Sequence, residues 1–192
     1  VSIEYEEVPG FENRKNGFVT IGKVSPPKNQ KETIKIIDEL REDFDIHLHV
    51  IGEISDTDYS REVKEMAEER DYIEIEGRMD REEMKEMIAN HRYGIHNFSG
   101  EHYGLAPAEM LKAGCIVFVP NRGGQVDIVN NTEEVLFSGS AEAVEKISKV
   151  IESGETQSEV LEKLSETELN SPEEFRKKIR EKVNEIRTEV VK

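Results

Sequence analysis

Apolar residues in this chain arrive in short blocks, and two kinds of block alternate. Phe18-Val19-Thr20-Ile21 is a brief β-rich run closed by Gly22. After Pro26-Pro27, the apolar residues Ile36, Ile37, Leu40 and Phe44 recur at helical spacing and share one face. Ile46 to Ile51 predicts the next strand, closed by Gly52, and Val63, Met66 and Ala67 mark the next helix. Ile73 and Ile75 belong to a third strand ending at Gly77, followed by a helix carrying Met84, Met87 and Ile88. Tyr93 to Phe98 predicts a fourth strand, and Pro107 to Ala113 a short helix stopped by Gly114. Ile116 to Val119 is continuously apolar, as expected of a parallel strand buried on both faces. Val135-Leu136-Phe137 is a weaker sixth strand, and a helix with Val144, Ile147, Val150 and Ile151 follows it.

Regular β-then-α alternation predicts an α/β fold: a Rossmann-like, doubly wound parallel sheet of about six strands with helices on both faces. Such sheets bind ligands outside the carboxyl ends of their strands. The glycine-containing loops after the first, third and fourth strands fall on that edge. The two ends of the chain read differently. Residues 1–16 are acidic, contain Pro9-Gly10, and read as a linker or edge segment. Residues 17–155 carry the alternation and form one domain. Residues 156–192 are charged and helical, with Phe175, Ile179, Val183, Ile186 and Val190 on one stripe. That stripe needs a surface to cover, on this domain or on one outside the chain.

Composition narrows the classes of partner. The chain has 192 residues, 42 acidic against 26 basic, and a formal net charge of −16. A phosphate backbone would be repelled over most of such a surface, which argues against nucleic acid. The single cysteine, Cys115, sits among small and apolar neighbours and reads as a buried small residue. No apolar stretch approaches the roughly 20 residues that span a bilayer, and the start has no signal-peptide pattern. The chain is therefore read as cytoplasmic. The triplets at Asn97 and Asn130 then read as turn residues rather than glycosylation sites.

The chemistry concentrates in the segment from Phe98 to Gly114. A strand leads into a loop of small residues, and the loop opens a helix. Gly104 and its neighbours let the backbone approach a ligand, and the free N–H groups of the helix start suit an anion such as a diphosphate. Glu101 lies in the loop and Glu109 about a turn into the helix. Carboxylates repel phosphate but accept hydrogen bonds from sugar hydroxyls. From chemistry alone two readings stay open. Either the two acids serve one nucleotide-sugar, or Glu101 is merely exposed and Glu109 is a first-turn acid favoured by the helix dipole.

The segment Glu101-His102-Tyr103-Gly104-Leu105-x3-Glu109 resembles the Glu-x7-Glu signature of retaining GT-B glycosyltransferases, especially the family 4 group. The usual form there is close to E-G-F-G-L-x-x-x-E-A-x-A-x-G. Gly104, Leu105, Glu109 and Gly114 fall in register, and His102-Tyr103 replaces the usual Gly-Phe pair. A second segment, Gly22-Lys23-x4-Lys28-Asn29, is similar to the family pattern G-R-x-x-x-x-K-G. Lys23 stands where arginine is usual and lacks its bidentate fork. Asn29 stands for glycine but tolerates the same left-handed backbone. Gly77-Arg78-Met79 ends the third strand, and Asn121-Arg122-Gly123-Gly124-Gln125 resembles the Gly-Gly turn after the fifth. The match runs from about residue 17 to residue 152.

The resemblance implies the donor-binding, C-terminal half of a hexosyltransferase-type enzyme that transfers a sugar from a nucleotide-diphosphate donor with retention. It implies that Glu101 contacts the donor sugar and Glu109 the ribose, with Lys23 and Lys28 neutralising the leaving diphosphate. Gly22, His102, Tyr103, Gly104 and Leu105 would line the donor site, and Arg78 and Met79 would hold the base. No obligatory metal and no further cofactor are expected. An N-terminal acceptor domain would be missing, leaving little activity in this chain alone. The full-length enzyme would be cytoplasmic, with peripheral association at the inner membrane surface open to it. The alternative is a non-catalytic nucleotide-sugar binding module acting through a partner protein.

Three other patterns in the chain imitate known motifs. Gly17-x4-Gly22-Lys23 nearly spells a P-loop, but Val24 stands where Ser or Thr would hold Mg²⁺. Asp56-Thr57-Asp58 imitates a metal-binding D-x-D, yet its place between strand and helix suits a turn and an N-cap. His47 and His49 share one face of a strand, but the sequence shows no third ligand, and such a pair reads as structural.

Overall fold

A computed structural model describes Tyr5, residues 8–98 and residues 100–166. Six strands, β1 (Lys15–Ile21), β2 (His47–Ile51), β3 (Ile73–Gly77), β4 (His91–Ile95), β5 (Ile116–Pro120) and β6 (Leu136–Phe137), form one sheet. Every strand pair is parallel, and the order is β3-β2-β1-β4-β5-β6. The connections carry α1 (Gln30–Arg41), α2 (Asp58–Glu68), α3 (Arg81–Ala89), α4 (Leu105–Lys112) and α5 (Gln125–Ile128). After β6 come α6 (Ser140–Glu152) and α7 (Gly154–Ser165). This is the doubly wound, Rossmann-like arrangement that the alternation predicts.

Both faces of the sheet are covered. Phe18 and Val19 are adjacent on β1, so their side chains point to opposite faces, and each is fully buried. All of β5 from Ile116 to Val119 is fully buried too. Aromatic rings stack within this core, Phe18 on Tyr93 at 5.0 Å between centroids. α1 buries Ile34, Ile36, Ile37 and Leu40, and α6 buries Ala143, Ile147 and Val150. Cys115 is fully buried, its thiol directed at the carbonyls of Ile88 and His91. Among the described residues no helix is long and apolar enough to cross a membrane.

Element edges depart from the apolar pattern where polar residues carry backbone pairing. β1 begins at Lys15, two residues inside the stretch read as linker, because Lys15 pairs in register with His91. β4 runs from His91 to Ile95 instead of Tyr93 to Phe98, which frees residues 96–98 for the loop at the carboxyl edge. α4 starts at Leu105, two residues before Pro107; proline is tolerated in the first turn, where its N–H has no helical partner. Thr57 caps α2, its hydroxyl oxygen accepting from the Ser60 N–H at 3.2 Å, while Asp56 and Asp58 bond Arg61. Asn130 and its neighbour Asn131 hold left-handed turn conformations. α7 buries Val160 and Leu164, and the predicted stripe from Phe175 to Val190 lies outside the described residues.

Candidate functional site

The strand order reverses between β1 and β4, so a crevice opens there beyond the carboxyl ends of the strands. Three loops converge on it. The first leaves β1 at Gly22, whose φ of 148° suits glycine, and passes through Lys28 to Asn29. Asn29 takes φ 55°, the left-handed conformation that its position demands. Gly52 crosses the same loop so closely that a Cβ there would lie 2.1 Å from the Gly22 carbonyl oxygen. The second loop leaves β4 and carries residues 96–104. The third leaves β5 and carries Gly123-Gly124.

Glu101 is the node of this crevice. Its Oε1 accepts from the backbone N–H of Gly104 at 3.0 Å and of Tyr103 at 3.4 Å. Its Oε2 lies 3.5 Å from Lys28 Nζ and 3.3 Å from His96 Nε2. Burial alone would raise the Glu101 pKa. The Gly104 N–H, the Lys28 ammonium and the Tyr103 N–H outweigh it and hold the carboxyl below its ordinary value. The Lys28 ammonium also rests over the Phe98 ring, 4.1 Å from its centroid. A fixed carboxylate and a cation thus stand side by side at the switch point.

Gly104 then opens α4 in the left-handed region, at φ 91°. Among the described residues no side chain caps this helix, and the N–H groups of Leu105 and Ala106 have no partner within the helix. Backbone donors and the helix dipole therefore face the crevice beside Lys28, a setting for an anion.

The other predicted residues occupy different surroundings. Lys23 reaches Glu53 at 3.2 Å in an exposed pair, apart from Glu101. Glu109 is half-buried, and loss of water raises its carboxyl above the ordinary value, with Arg81 opposing. It also acts electrostatically on Tyr5, so its neighbours come from other elements than those around Glu101. The two acids are thus held in opposite electrostatic settings. Arg78 is exposed and Met79 half-buried, at the end of the outermost strand β3. Three strand spacings, about 14 Å, separate them from β4. His102 and Leu105 are exposed, and Tyr103 is partly buried.

Two residues complete the site: His96, which the sequence pattern leaves unmarked, and Gln125, which it places only as the end of the Gly-Gly turn. His96 follows β4, is 1% exposed, and ties Glu101 to the sheet; its backbone N–H still donates to Phe118 at 3.0 Å. Loss of water, then Lys28, lowers its pKa to about 4, so the ring is neutral at pH 7. Gln125 is fully buried, and its amide nitrogen donates to the carbonyls of Phe98, Pro120 and Arg122 at 2.9–3.2 Å. It fastens the β4 loop to the β5 loop. The Gly-Gly turn fits the same joint: a Cβ at Gly123 would lie 2.3 Å from the Glu101 carbonyl oxygen, and one at Gly124 2.1 Å from that of His102. Only glycine permits this approach.

The profile of the family described as glycosyl transferases group 1 matches residues 1–181. Among curated proteins, the chain is similar to the GDP-Man:Man(3)GlcNAc(2)-PP-Dol alpha-1,2-mannosyltransferase of Dictyostelium discoideum. They are 23% identical over 90% of this chain and 38% of that protein. The Xenopus laevis protein of the same name is 29% identical over 70% of this chain and 30% of its own length. The chain therefore spans about a third of these relatives. Among solved structures, the C-terminal domain of a glycosyl transferase group 1 family protein from Francisella tularensis superposes with a TM-score of 0.67 at 20% identity. The match covers 80% of this chain and 82% of that one. The pneumococcal O-GlcNAc transferase GtfA, solved with UDP and GlcNAc, gives 0.72 at 15% identity, over 91% of this chain and 37% of that one.

Proposed function

The chain belongs to the glycosyl transferases group 1 family, and we propose that its switch-point crevice binds a nucleotide-diphosphate sugar as the donor half of a retaining hexosyltransferase. The carrying observation is the Glu101 node, where a carboxylate fixed by two backbone N–H groups stands against Lys28 and the uncapped start of α4. In this reading the diphosphate lies on the α4 N–H groups and Lys28, with Lys23 swinging from Glu53 to the same charge. Negative charge grows on the diphosphate as the glycosidic bond breaks, and these groups neutralise it. Glu101 accepts from a donor-sugar hydroxyl, Glu109 from the ribose, and the Gly77–Met79 backbone receives the base at the outer end of the crevice. No carboxylate is assigned as a covalent nucleophile, so departure and attack occur on one face of the sugar.

Since the chain covers about a third of its curated relatives, we assign the acceptor site to a preceding domain outside it. The names of those relatives make GDP-mannose the first donor to try. Calorimetric titration with UDP, GDP, ADP and their common sugars tests the assignment. Glu109→Ala weakens every ribose-containing ligand, whereas Glu101→Ala weakens nucleotide-sugars at least tenfold more than the free nucleotides. Equal losses for both ligand types in Glu101→Ala would remove the sugar contact from that residue.

A further inference from the structure

Three histidines meet at the opposite edge of the sheet from the donor crevice. His47 is the first residue of β2, His49 shares its face, and His91 is the first residue of β4. The strand between them, β1, brings Gly17 into register beside His47. A Cβ at Gly17 would lie 2.3 Å from the His47 ring, so glycine lets that ring cross over β1 towards β4. His47 Nε2 thereby stands 2.9 Å from His91 Nε2. Each of the three rings offers a nitrogen, and those nitrogens lie within 4.8 Å of one another. The third ring that the sequence does not show for His47 and His49 is supplied by strand order.

The hydrogen bonds around the rings set their nitrogens. His91 Nδ1 lies 2.6 Å from the Met87 carbonyl, so it carries the proton and Nε2 keeps its lone pair. His49 Nδ1 lies 2.6 Å from the Glu76 carboxylate, which likewise leaves its Nε2 free. Ring N–H groups held by a carbonyl and a carboxylate are the usual outer support of histidine metal ligands. His47 is half-buried and lines an open groove with Asn16 and Asp45, an entry path for an ion. Lys15 and Arg41 oppose a cation there, and Glu74 and Glu76 on β3 favour one.

We propose that His47, His49 and His91 form a binding site for a borderline divalent transition metal such as Zn²⁺, stapling β2 to β4 across β1. Imidazole nitrogens about 2.0–2.1 Å from zinc stand roughly 3.3 Å apart in a tetrahedron, so the His47–His91 pair opens by a few tenths of an ångström. The proton shared between those two Nε2 atoms moves to Nδ1 of His47, and water fills the fourth position. A hard cation such as Mg²⁺ is disfavoured by an all-nitrogen set. The site is structural and independent of the donor crevice.

The test uses the 192-residue chain, stripped with EDTA and titrated calorimetrically with Zn²⁺ in high salt. Co²⁺ absorption reports coordination geometry. One equivalent of Zn²⁺ binds, Co²⁺ gives tetrahedral bands, and the melting temperature rises, while Mg²⁺ does none of this. His91→Gln abolishes the high-affinity event. Glu76→Gln leaves all three rings in place and weakens it about 10- to 100-fold; it serves as the deciding variant where His91→Gln fails to fold. Absence of stoichiometric Zn²⁺ binding, or unchanged affinity in Glu76→Gln, would overturn the site.

Discussion

His96 makes acid stability a direct probe of the switch-point crevice. Its ring is almost wholly buried, and desolvation aided by Lys28 lowers its pKa from 6.5 to about 4. Between those values the unfolded chain binds a proton that the folded protein does not. Stability therefore rises with pH through this window, is fully present above about pH 6.5, and is lost as pH falls towards 4. At about pH 5 the unfolded imidazole is protonated by roughly 30 to 1 while the folded ring stays mostly neutral, which is a loss of about 2 kcal/mol from this ring. His96→Gln does not titrate, and its amide can still donate to Glu101. Urea unfolding of both proteins near pH 7.5 and pH 5, with EDTA throughout, isolates the effect, because the other histidines contribute equally to both. The fall in stability between the two pH values is about 2 kcal/mol larger in the parent protein than in His96→Gln. Equal falls would mean that His96 is hydrated or already protonated, and the neutral-ring account of the Glu101 node would be wrong.

Two further outcomes follow from the same loops. Gln125→Ala strips the amide donor from three carbonyls of the β4 and β5 loops, and a loss of about 2 kcal/mol is expected in chemical denaturation, with weaker nucleotide binding. Unaltered stability would show that water replaces the amide. We expect the chain alone to transfer sugar to an acceptor far more slowly than an ordinary enzyme, about 10 per second; turnover near that rate, measured with GDP-mannose and other common donors, would place the acceptor site within these residues.

Sequence alone determined the sheet class and the edge on which the glycine-containing loops gather. Continuous apolar stretches such as Ile116 to Val119 and helical stripes such as Ile36, Ile37 and Leu40 report which surfaces must be buried, and their alternation leaves few topologies. The resemblance to the glycosyltransferase pattern marked Gly22, Lys28, Glu101 and Gly104, whose chemistry alone left two readings open. Tertiary structure alone decided which of these meet. Lys28 reaches Glu101 across 73 residues because β1 and β4 are neighbours in the sheet, whereas Lys23, five residues away, faces Glu53. His96 and His91 were hidden for the same reason, and so was the role of Gln125. Each is polar in or beside an apolar element, and hydrophobic periodicity says nothing about a buried polar residue's partner. That partner is set by strand order and register, as when Gly17 lets His47 reach His91 across a third strand.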